Sequence, residues 1–463
     1  QLGIFMDWPS LHQATIDRMR TDDEERSFSA AMKTINLWYA HAHTMVWCFE
    51  GLPEGNDRPS GYFGSGWTVF EQSIAGILTP LDRILHVTAD VREQLLRGES
   101  SPGRRLKHYL ELVLERGCDK RGVMMPPERF DEMIADKHFT NGADLEKTVK
   151  PKYRETFEAV LTYARALHLR GIGFEYTEAE QVLKLAADRC KYVTEVDLSC
   201  NDINMPVQLI HSSAISGRLR RLNLGGNARG TTLCLDIAPL ADLTELQSLE
   251  LAGTNVCGDL APLAVLRGLE ILWLTGTNVG GDVASLEPLR NLVRLGLGNT
   301  QVCGDITALA SLRFIERVGL TRTCVHGDVS QWYQAKHLTR LGLGETRVSG
   351  DIGRLASLWC LEELDLNNTR VSGSLESLAS IHNLTVLEVK NTAVHGNVAA
   401  LIPLRRLKRL DVSFTGVFGN SEVLAGLRRL EFFDLTRTKV TGDWSRLIRQ
   451  GSEDEVSGDE LSD

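Results

Sequence analysis

The stretch that decides the fold is residues 338–360, which reads LTRLGLGETRVSGDIGRLASLWC. Its pattern, L-x-x-L-x-L-x-x-T-x-V-x-G-[D/N/S] followed by a looser L-x-x-L, recurs nine times at a step of 23 residues. The leucine or isoleucine that opens each repeat (position one) falls at Leu246, Leu269, Leu292, Ile315, Leu338, Leu361, Leu384, Leu407 and Leu430. One such repeat cannot bury its own apolar face, whereas a stack of them can. The pattern therefore predicts a solenoid and favours a binding surface over a catalytic pocket.

The composition limits the classes of function. A chain of 463 residues exceeds one ordinary domain, and its net charge of −10 argues against a nucleic-acid partner. The nine cysteines show no C-x-x-C and no paired ligand spacing, which predicts reduced thiols, no metal site and a cytoplasmic location. No apolar run approaches the ~18–20 residues that cross a bilayer. The chain starts at Gln1 inside an apolar run, so we expect an incomplete N-terminus whose targeting signal is unknown.

The first half of the chain is predicted to contain two regions. Residues 1–90 should form a partial α/β domain, because strand signals at 3–6 and 44–49 alternate with helical stretches at 24–42 and 68–78. That order is typical of a parallel β-α-β arrangement. Residues 91–176 should form a helical connecting region, with helices at 106–116, 127–137 and 153–169.

The second half is predicted to be the repeat domain, 177–445, followed by an acidic tail. A helix at 178–189 should begin with Thr177 as N-cap and Glu180 as its capping-box partner, and should cover the first repeat. The tail, 446–463, is rich in acidic residues and cannot bury enough apolar surface to become ordered.

The motif L-x-x-L-x-L-x-x-N/T resembles the leucine-rich repeat family over about 193–445. The resemblance implies an α/β fold, a solenoid with a parallel sheet on its concave side. Family members usually carry Asn at position nine, which bonds the backbone of neighbouring turns, and Asn201 and Asn227 keep it in two irregular repeats. The regular repeats carry Thr from Thr254 to Thr438, and we expect this threonine ladder to do similar work. The glycine at position thirteen should allow a sharp turn off the sheet.

Function is expected on residues that the repeat does not need, at strand positions three and five on the concave face. Arginine forks suit carboxylates and phosphates, glycines let a ligand approach the backbone, and exposed Trp beside Arg is typical of interfaces. We therefore predict that a protein or peptide segment with acidic groups binds at Ile271, Trp273, Arg294, Gly296, Arg317, Gly319, Arg340, Gly342, Asp365 and Glu388. The alternative is that the arginines merely pair with Asp365, Glu388 and solvent.

A second resemblance concerns the N-terminal region. The stretches 7–13 (DWPSLHQ) and 66–71 (GWTVFE) are similar to motifs of fungal heterokaryon-incompatibility (HET) domains. The latter is also similar to the S-x-W-C-x-x-E-L helix of TIR domains, although Thr68 and Gln72 depart from it. TIR glycohydrolases use the glutamate of this helix to cleave NAD, so the resemblance implies Glu71 as the catalytic residue and NAD as the substrate.

Two hypotheses follow from these patterns. The first is a cytoplasmic leucine-rich repeat module or scaffold that binds a protein partner and has no catalytic residue and no cofactor. The second is a HET/TIR-like signalling protein, in which the N-terminal domain processes NAD and the repeats sense a ligand.

Overall fold

The structure is a computed structural model that describes residues 21–40, 44–49, 64–77, 84–87, 125–139, 142–227 and 234–442. The chain divides into two compact units. The first comprises Gln1–Phe174 and Gln181–Leu198, and the second comprises Glu175–Glu180 and Ser199–Asp463. The predicted strand at 3–6, the motif at 7–13, the helix at 106–116 and the tail at 446–463 lie outside the described residues. The predicted domain boundaries stay predictions.

The described helices confirm most of the helical predictions. Their bounds are α1 Asp22–Tyr39, α2 Gly66–Ala75, α3 Pro127–Ile134, α4 Lys150–Tyr163, α5 Tyr176–Arg189 and α6 Pro206–His211, with a π-helix at Leu145–Val149. None of the helices in these described ranges is long and apolar enough to span a membrane.

The first unit contains a parallel β-α-β arrangement, but its second strand, at 84–87, was not predicted, and the predicted strand 3–6 lies outside the described residues. Strands β1 (Val46–Phe49) and β2 (Ile84–Val87) are parallel and fully in register, and α2 lies between them in sequence. Alternation along β1 turns Val46 and Cys48 inward, where they pack with Ala75, Ile84 and Tyr39. Phe130 and Tyr153 stack with ring centroids 3.7 Å apart and join α3 to α4. Burial raises the pKa of Tyr153, whose hydroxyl donates to the Met125 carbonyl.

Two helix predictions were wrong at their ends. The helix predicted at 153–169 stops at Tyr163, and Ala166–His168 forms strand β3, parallel to β4 (Glu195–Asp197), because the backbone becomes extended at Ala164. The capping glutamate of α5 is Glu178 rather than Glu180. Its carboxylate accepts the Glu175 N–H at 3.2 Å, so Thr177 lies within the first turn.

The second unit is a leucine-rich repeat solenoid, as predicted. Each repeat contributes one short strand to a parallel concave sheet, in the order β5 Arg221–Asn223, β7 Ser248–Glu250, β9 Ile271–Trp273, β11 Arg294–Gly296, β13 Arg317–Gly319, β15 Arg340–Gly342, β17 Glu363–Asp365, β19 Val386–Glu388, β21 Arg409–Asp411 and β23 Phe432–Asp434. The apolar side chains at positions one, four, six and eleven fill the interior, as Leu338, Leu343 and Val348 show with 0% exposure.

A second parallel sheet was missed by the sequence analysis. It is built by the V-x-G-D segment and consists of β6 Leu235–Asp236, β8 Val256–Asp259, β10 Asn278–Asp282, β12 Gln301–Asp305, β14 Cys324–Asp328, β16 Arg347–Asp351, β18 Arg370–Ser374, β20 Ala393–Asn397, β22 Gly416–Asn420 and β24 Lys439–Thr441. The position-thirteen glycines have φ between 103° and 123°, a backbone conformation that glycine adopts readily. All but Gly442, which follows β24, lie within these strands, so the expected turn off the concave sheet was wrong.

Short 3-10 helices complete the repeats. They cover Ser216–Arg218, Ala238–Asp242, Ala261–Val265, Val283–Leu286, Ile306–Ser311, Val329–Gln334, Ile352–Ser357, Leu375–Ser380, Val398–Leu401 and Ser421–Gly426. The Asp or Asn at position fourteen caps most of them; Asp282 Oδ1, for example, accepts the Ala284 N–H at 2.8 Å.

The threonine ladder does not bond neighbouring turns. Each hydroxyl donates to the position-six carbonyl of its own repeat, as between Thr323 Oγ1 and Leu320 O at 2.6 Å. Asn227 does reach across, because its amide donates to Leu224 O while its Oδ1 accepts the Ile203 N–H. The threonines thus make the same bond within the repeat that Asn227 makes to Leu224 O, but not its bond to a neighbouring turn. The expectation for threonine was therefore right for the first bond and wrong for the second.

The prediction of reduced cysteines is wrong for one pair. Cys234, just before β6, and Cys257 of β8 form a disulfide, whereas Cys303 and Cys324 are exposed free thiols.

Candidate binding surface on the concave sheet

The register of the concave sheet places the predicted residues in two columns. At position three, Ile271, Arg294, Arg317 and Arg340 are successive cross-strand neighbours. At position five the same pairing aligns Trp273, Gly296, Gly319, Gly342, Asp365 and Glu388. Neighbouring strands lie about 4.8 Å apart, so the three arginines occupy one row of about 10 Å. The predicted juxtaposition is therefore present.

The glycine column is not bare along its whole length. At Gly296 an added Cβ would lie 2.7 Å from Cδ2 of Trp273, so the indole ring lies over this glycine. At Gly319 the nearest atom to such a Cβ is the Leu295 carbonyl oxygen at 4.0 Å, and at Gly342 it is Thr321 Oγ1 at 3.3 Å. The accessible backbone is therefore at Gly319 and Gly342. The indole ring of Trp273 covers Gly296, so the open part of the glycine column begins at Gly319.

The arginines do not pair with Asp365 or Glu388, the two carboxylates that the alternative named, although Arg294 faces solvent as the alternative also allowed. Arg340 Nη2 lies 3.1 Å from Glu363 Oε1, and Glu363 is its cross-strand neighbour at position three. Among the residues that the structure describes, Arg294 and Arg317 form no ion pair, and Arg294 is exposed. Two of the three guanidinium groups thus keep their forks available to a ligand.

The acidic side of the surface is already occupied by internal partners. Glu388 is 5% exposed; it forms an ion pair with Arg409 and accepts a hydrogen bond from Asn367 Nδ2 at 2.8 Å. Arg409 also lies over the Phe432 ring, 4.2 Å from its centroid. The predicted role of Glu388 as a freely accessible binding residue is therefore not supported by its geometry.

Asp365 is turned away from the arginines. Its Oδ1 accepts the Asn367 N–H at 3.0 Å, and its Oδ2 lies 3.5 Å from Thr321 Oγ1 and close to Gly344. The pKa of Asp365 is raised from 3.8 to about 6, mainly by burial and also by the nearby Glu388 carboxylate, against the hydrogen bonds from Asn367 and Thr321 that lower it. Burial also raises the pKa of Glu363, partly opposed by the charges of Arg340 and Arg317.

Sequence reasoning missed several residues of this surface. Glu363, Arg409 and Phe432 stand at position three, and Thr321 and Gly344 at position seven also border the open glycines. The position-three residues carried a usable signal, because equal spacing makes them cross-strand neighbours of the arginine column. Position seven carried none, since its side chains follow no shared type.

The second candidate site, Glu71, lies on α2 of the first unit. Trp67 packs edge-to-face against Phe70 at 5.7 Å, and Glu71 is half-buried. Gly66 has no room for a side chain because the Phe139 ring occupies that space. Packing thus accounts for the glycine and tryptophan of the motif.

Comparisons with known proteins give likenesses of fold. No family model and no curated protein matches the chain. An internalin, InlF of Listeria monocytogenes, is 22% identical with a TM-score of 0.48 and covers 65% of this chain and 89% of its own. A TDR receptor is 23% identical with a TM-score of 0.49, covering 58% and 47%. The Arabidopsis receptor kinase HAESA, solved with an IDA peptide hormone, is 22% identical with a TM-score of 0.42, covering 56% of each chain.

This chain therefore spans about half the length of the TDR and HAESA chains. The second unit has the geometry of a leucine-rich repeat solenoid in its own right, with one parallel concave strand in each repeat and a leucine-filled interior.

Proposed function

We propose that the second unit is a protein-interaction module whose concave sheet binds an extended peptide segment with acidic groups. One observation carries the proposal: Arg294 and Arg317 are cross-strand neighbours without ion pairs in the described part of the chain, beside the accessible backbone of Gly319 and Gly342. Guanidinium groups bind carboxylates or phosphates through two parallel hydrogen bonds, and unpaired arginines at an interface supply both affinity and register. This module can serve as a scaffold or as the ligand sensor of a signalling protein.

The surface also limits the length of the segment. The Trp273 ring closes one end, and the Arg340–Glu363 ion pair closes the other. The three strand spacings from Trp273 on β9 to Arg340 on β15 amount to about 14 Å, which matches about four residues of an extended chain. A flat aromatic wall favours an apolar or aromatic residue next to the acidic ones.

The test uses phage-displayed random peptides, including a phosphoserine-containing set, selected on the full chain. Wild type should enrich peptides with two or more acidic groups, and the variant Arg294→Glu/Arg317→Glu should enrich none of them. The matched control is Arg347→Glu/Arg370→Glu, which changes the same charge at exposed positions of the second sheet. It should select the wild-type peptides. Equal enrichment by both double variants, or enrichment of peptides without acidic groups, would contradict the proposal.

We propose as a second candidate that the first unit processes NAD through Glu71. The parallel β1-α2-β2 arrangement with a half-buried carboxylate on its helix supports this idea. A carboxylate there could bind ribose and stabilise an oxocarbenium-like transition state. The full-length protein should consume NAD, and Glu71→Gln should abolish this activity while Glu128→Gln, at an exposed position of α3, retains it. No turnover by that wild-type chain would exclude this candidate.

We propose that the protein acts in the cytoplasm. The unpaired cysteine spacing and the exposed free thiols of Cys303 and Cys324 support this location, whereas the Cys234–Cys257 disulfide is a feature more common in oxidising compartments. Fractionation of cells that express the tagged protein, with thiol labelling of Cys234 and Cys257, tests it. Recovery in a secreted fraction would overturn the assignment.

A further inference from the structure

A row of basic side chains runs along the turns that connect the 3-10 helices to the concave strands. We call the eight turns 264–268, 287–291, 310–314, 333–337, 356–360, 379–383, 402–406 and 425–429 the turn edge. Together they contain eight Lys or Arg residues and a single carboxylate, although the whole chain has a net charge of −10. The basic residues recur at the same repeat position as Arg267, Arg290, Arg313, Lys336, Arg405 and Arg428, with Arg406 and Arg429 beside the last two.

The stacking of the repeats makes this row continuous. Asn291 Nδ2 donates to the Arg267 carbonyl at 3.1 Å, and Asn383 Nδ2 donates to the Trp359 carbonyl at 2.9 Å. These bonds hold each turn against the next. Arg267 and Arg428 are seven repeats apart, because (428 − 267)/23 is 7, which corresponds to about 34 Å at the usual strand spacing.

Most of these charges have no internal partner. The single carboxylate, Glu287, lies 3.3 Å from Arg290. Among the residues that the structure describes, the side chains of Arg267, Arg313, Arg405 and Arg428 form no ion pair, and all four are exposed. The position-two glutamates 270, 316, 362 and 431 stand just before the concave strands and make no ion pair with this row within that part of the chain; Glu431 lies 3.9 Å from Lys408, which is also at position two. The turn edge is therefore a local basic surface on an acidic protein.

Large apolar side chains are exposed among the basic ones. Val265, Phe314, Trp359 and Ile402 are 56%, 57%, 63% and 42% exposed, each on a different turn of the same edge. Single exposed apolar side chains are common on protein surfaces, so these four matter here only because they share one edge with the basic row. Because the four side chains are spread singly over the row, they do not form the central cluster that a protein interface usually has.

We propose that the turn edge binds an anionic phospholipid surface. Acidic headgroups match the basic row, and the interface below them accepts isolated aromatic and aliphatic side chains, with Trp favoured at that depth. A lipid surface is flat and fluid, so it can contact the regularly spaced basic side chains of the turn edge without needing a pocket. A nucleic acid would use the arginines but gives no role to Val265 or Ile402. The concave columns at positions three and five stay accessible, so this inference does not depend on the proposed peptide site.

The experiment is flotation of the full chain with vesicles of phosphatidylcholine alone and with about 30 mol% phosphatidylserine, whose charge attracts basic residues. Wild type should bind only the anionic vesicles, and binding should weaken as salt increases. Arg313→Glu/Arg405→Glu should reduce the partition coefficient at least about 25-fold, since each basic residue near such a surface contributes about fivefold. Phe314→Ser/Trp359→Ser should also reduce it, by at least about fivefold.

The charge-matched control is again Arg347→Glu/Arg370→Glu on the second sheet, and it should change the partition coefficient by less than about threefold. Circular dichroism of every variant confirms that the fold is retained. The proposal is overturned if this control loses binding as strongly as Arg313→Glu/Arg405→Glu. It is also overturned if Phe314→Ser/Trp359→Ser binds vesicles as wild type does, or if the chain binds single-stranded RNA but no anionic vesicle.

Discussion

The interior of the solenoid and its concave face differ in how constant their residues are from repeat to repeat. Interior positions carry apolar residues in every regular repeat and are buried in all but the last, as Leu295 and Leu341 illustrate. Concave positions three and five change from Arg and Gly to Glu and Asp along the sheet. Interior residues therefore determine that the solenoid forms, whereas concave residues determine what it contacts. Substitutions in the interior should therefore mainly lower stability, whereas substitutions on the concave face should mainly weaken binding.

The largest expected loss of stability is at Trp332, which is completely buried where most other repeats have leucine. Trp332→Ala should lower the free energy of unfolding by about 4 kcal/mol, because it leaves a large cavity. The control is Trp359→Ala at an exposed position, which should change it by less than about 0.5 kcal/mol. Urea denaturation measures both. Similar losses for the two variants would break the distinction between interior and surface.

The next effect concerns the backbone of the second sheet. Gly281 has φ of 103°, and an added Cβ would lie 2.5 Å from the Asp259 carboxylate. Gly281→Ala should cost about 2 kcal/mol, because L residues rarely adopt that conformation. The adjacent Gly280 has room for a Cβ at 3.6 Å from its nearest neighbour, so Gly280→Ala should cost far less. Equal unfolding midpoints for the two variants would contradict this account.

Asp365 stands on the concave face, but its carboxyl group is largely buried, so a substitution there should affect stability. Its pKa is raised from 3.8 to about 6, so the folded protein holds the proton more tightly than the unfolded chain does. Stability contributed by the protonated form is therefore lost as the pH rises through this range. Asp365→Asn should stabilise the protein at pH 7 by on the order of 2 kcal/mol and have almost no effect below about pH 4. A gain that is the same at both pH values would contradict the raised pKa.

The smallest effect on stability is expected at Arg317, which has no ion pair within the described part of the chain. Arg317→Gln should change the free energy of unfolding by less than about 0.5 kcal/mol. The same variant should weaken a selected acidic peptide at least about tenfold, as measured by calorimetry, because interface arginines often dominate binding. If Arg317→Gln lowered stability but left peptide binding unchanged, the division between a stabilising interior and a binding concave face would be wrong.

The fold and the columns could be predicted because a constant step of 23 residues gives every repeat the same geometry. The pairing of Arg340 with Glu363 was also accessible, since both stand at position three. The cover of Gly296 by Trp273 was not, because it depends on which rotamer the indole adopts over the neighbouring strand. The turn of Asp365 towards Thr321 is a similar case, because it depends on partners two repeats away.

The sequence by itself determined the repeat, its buried leucines, and which outward residues share a column, because sequence spacing and strand alternation are sufficient to place them. Only the tertiary structure decided that Arg294 and Arg317 keep their charges available while Glu388 and Asp365 do not. It also showed that the turn edge combines arginines with exposed Phe314 and Trp359. The physical reason is that the pairing of surface side chains depends on neighbours from other turns and on energy differences of about 1 kcal/mol, which no repeat pattern encodes.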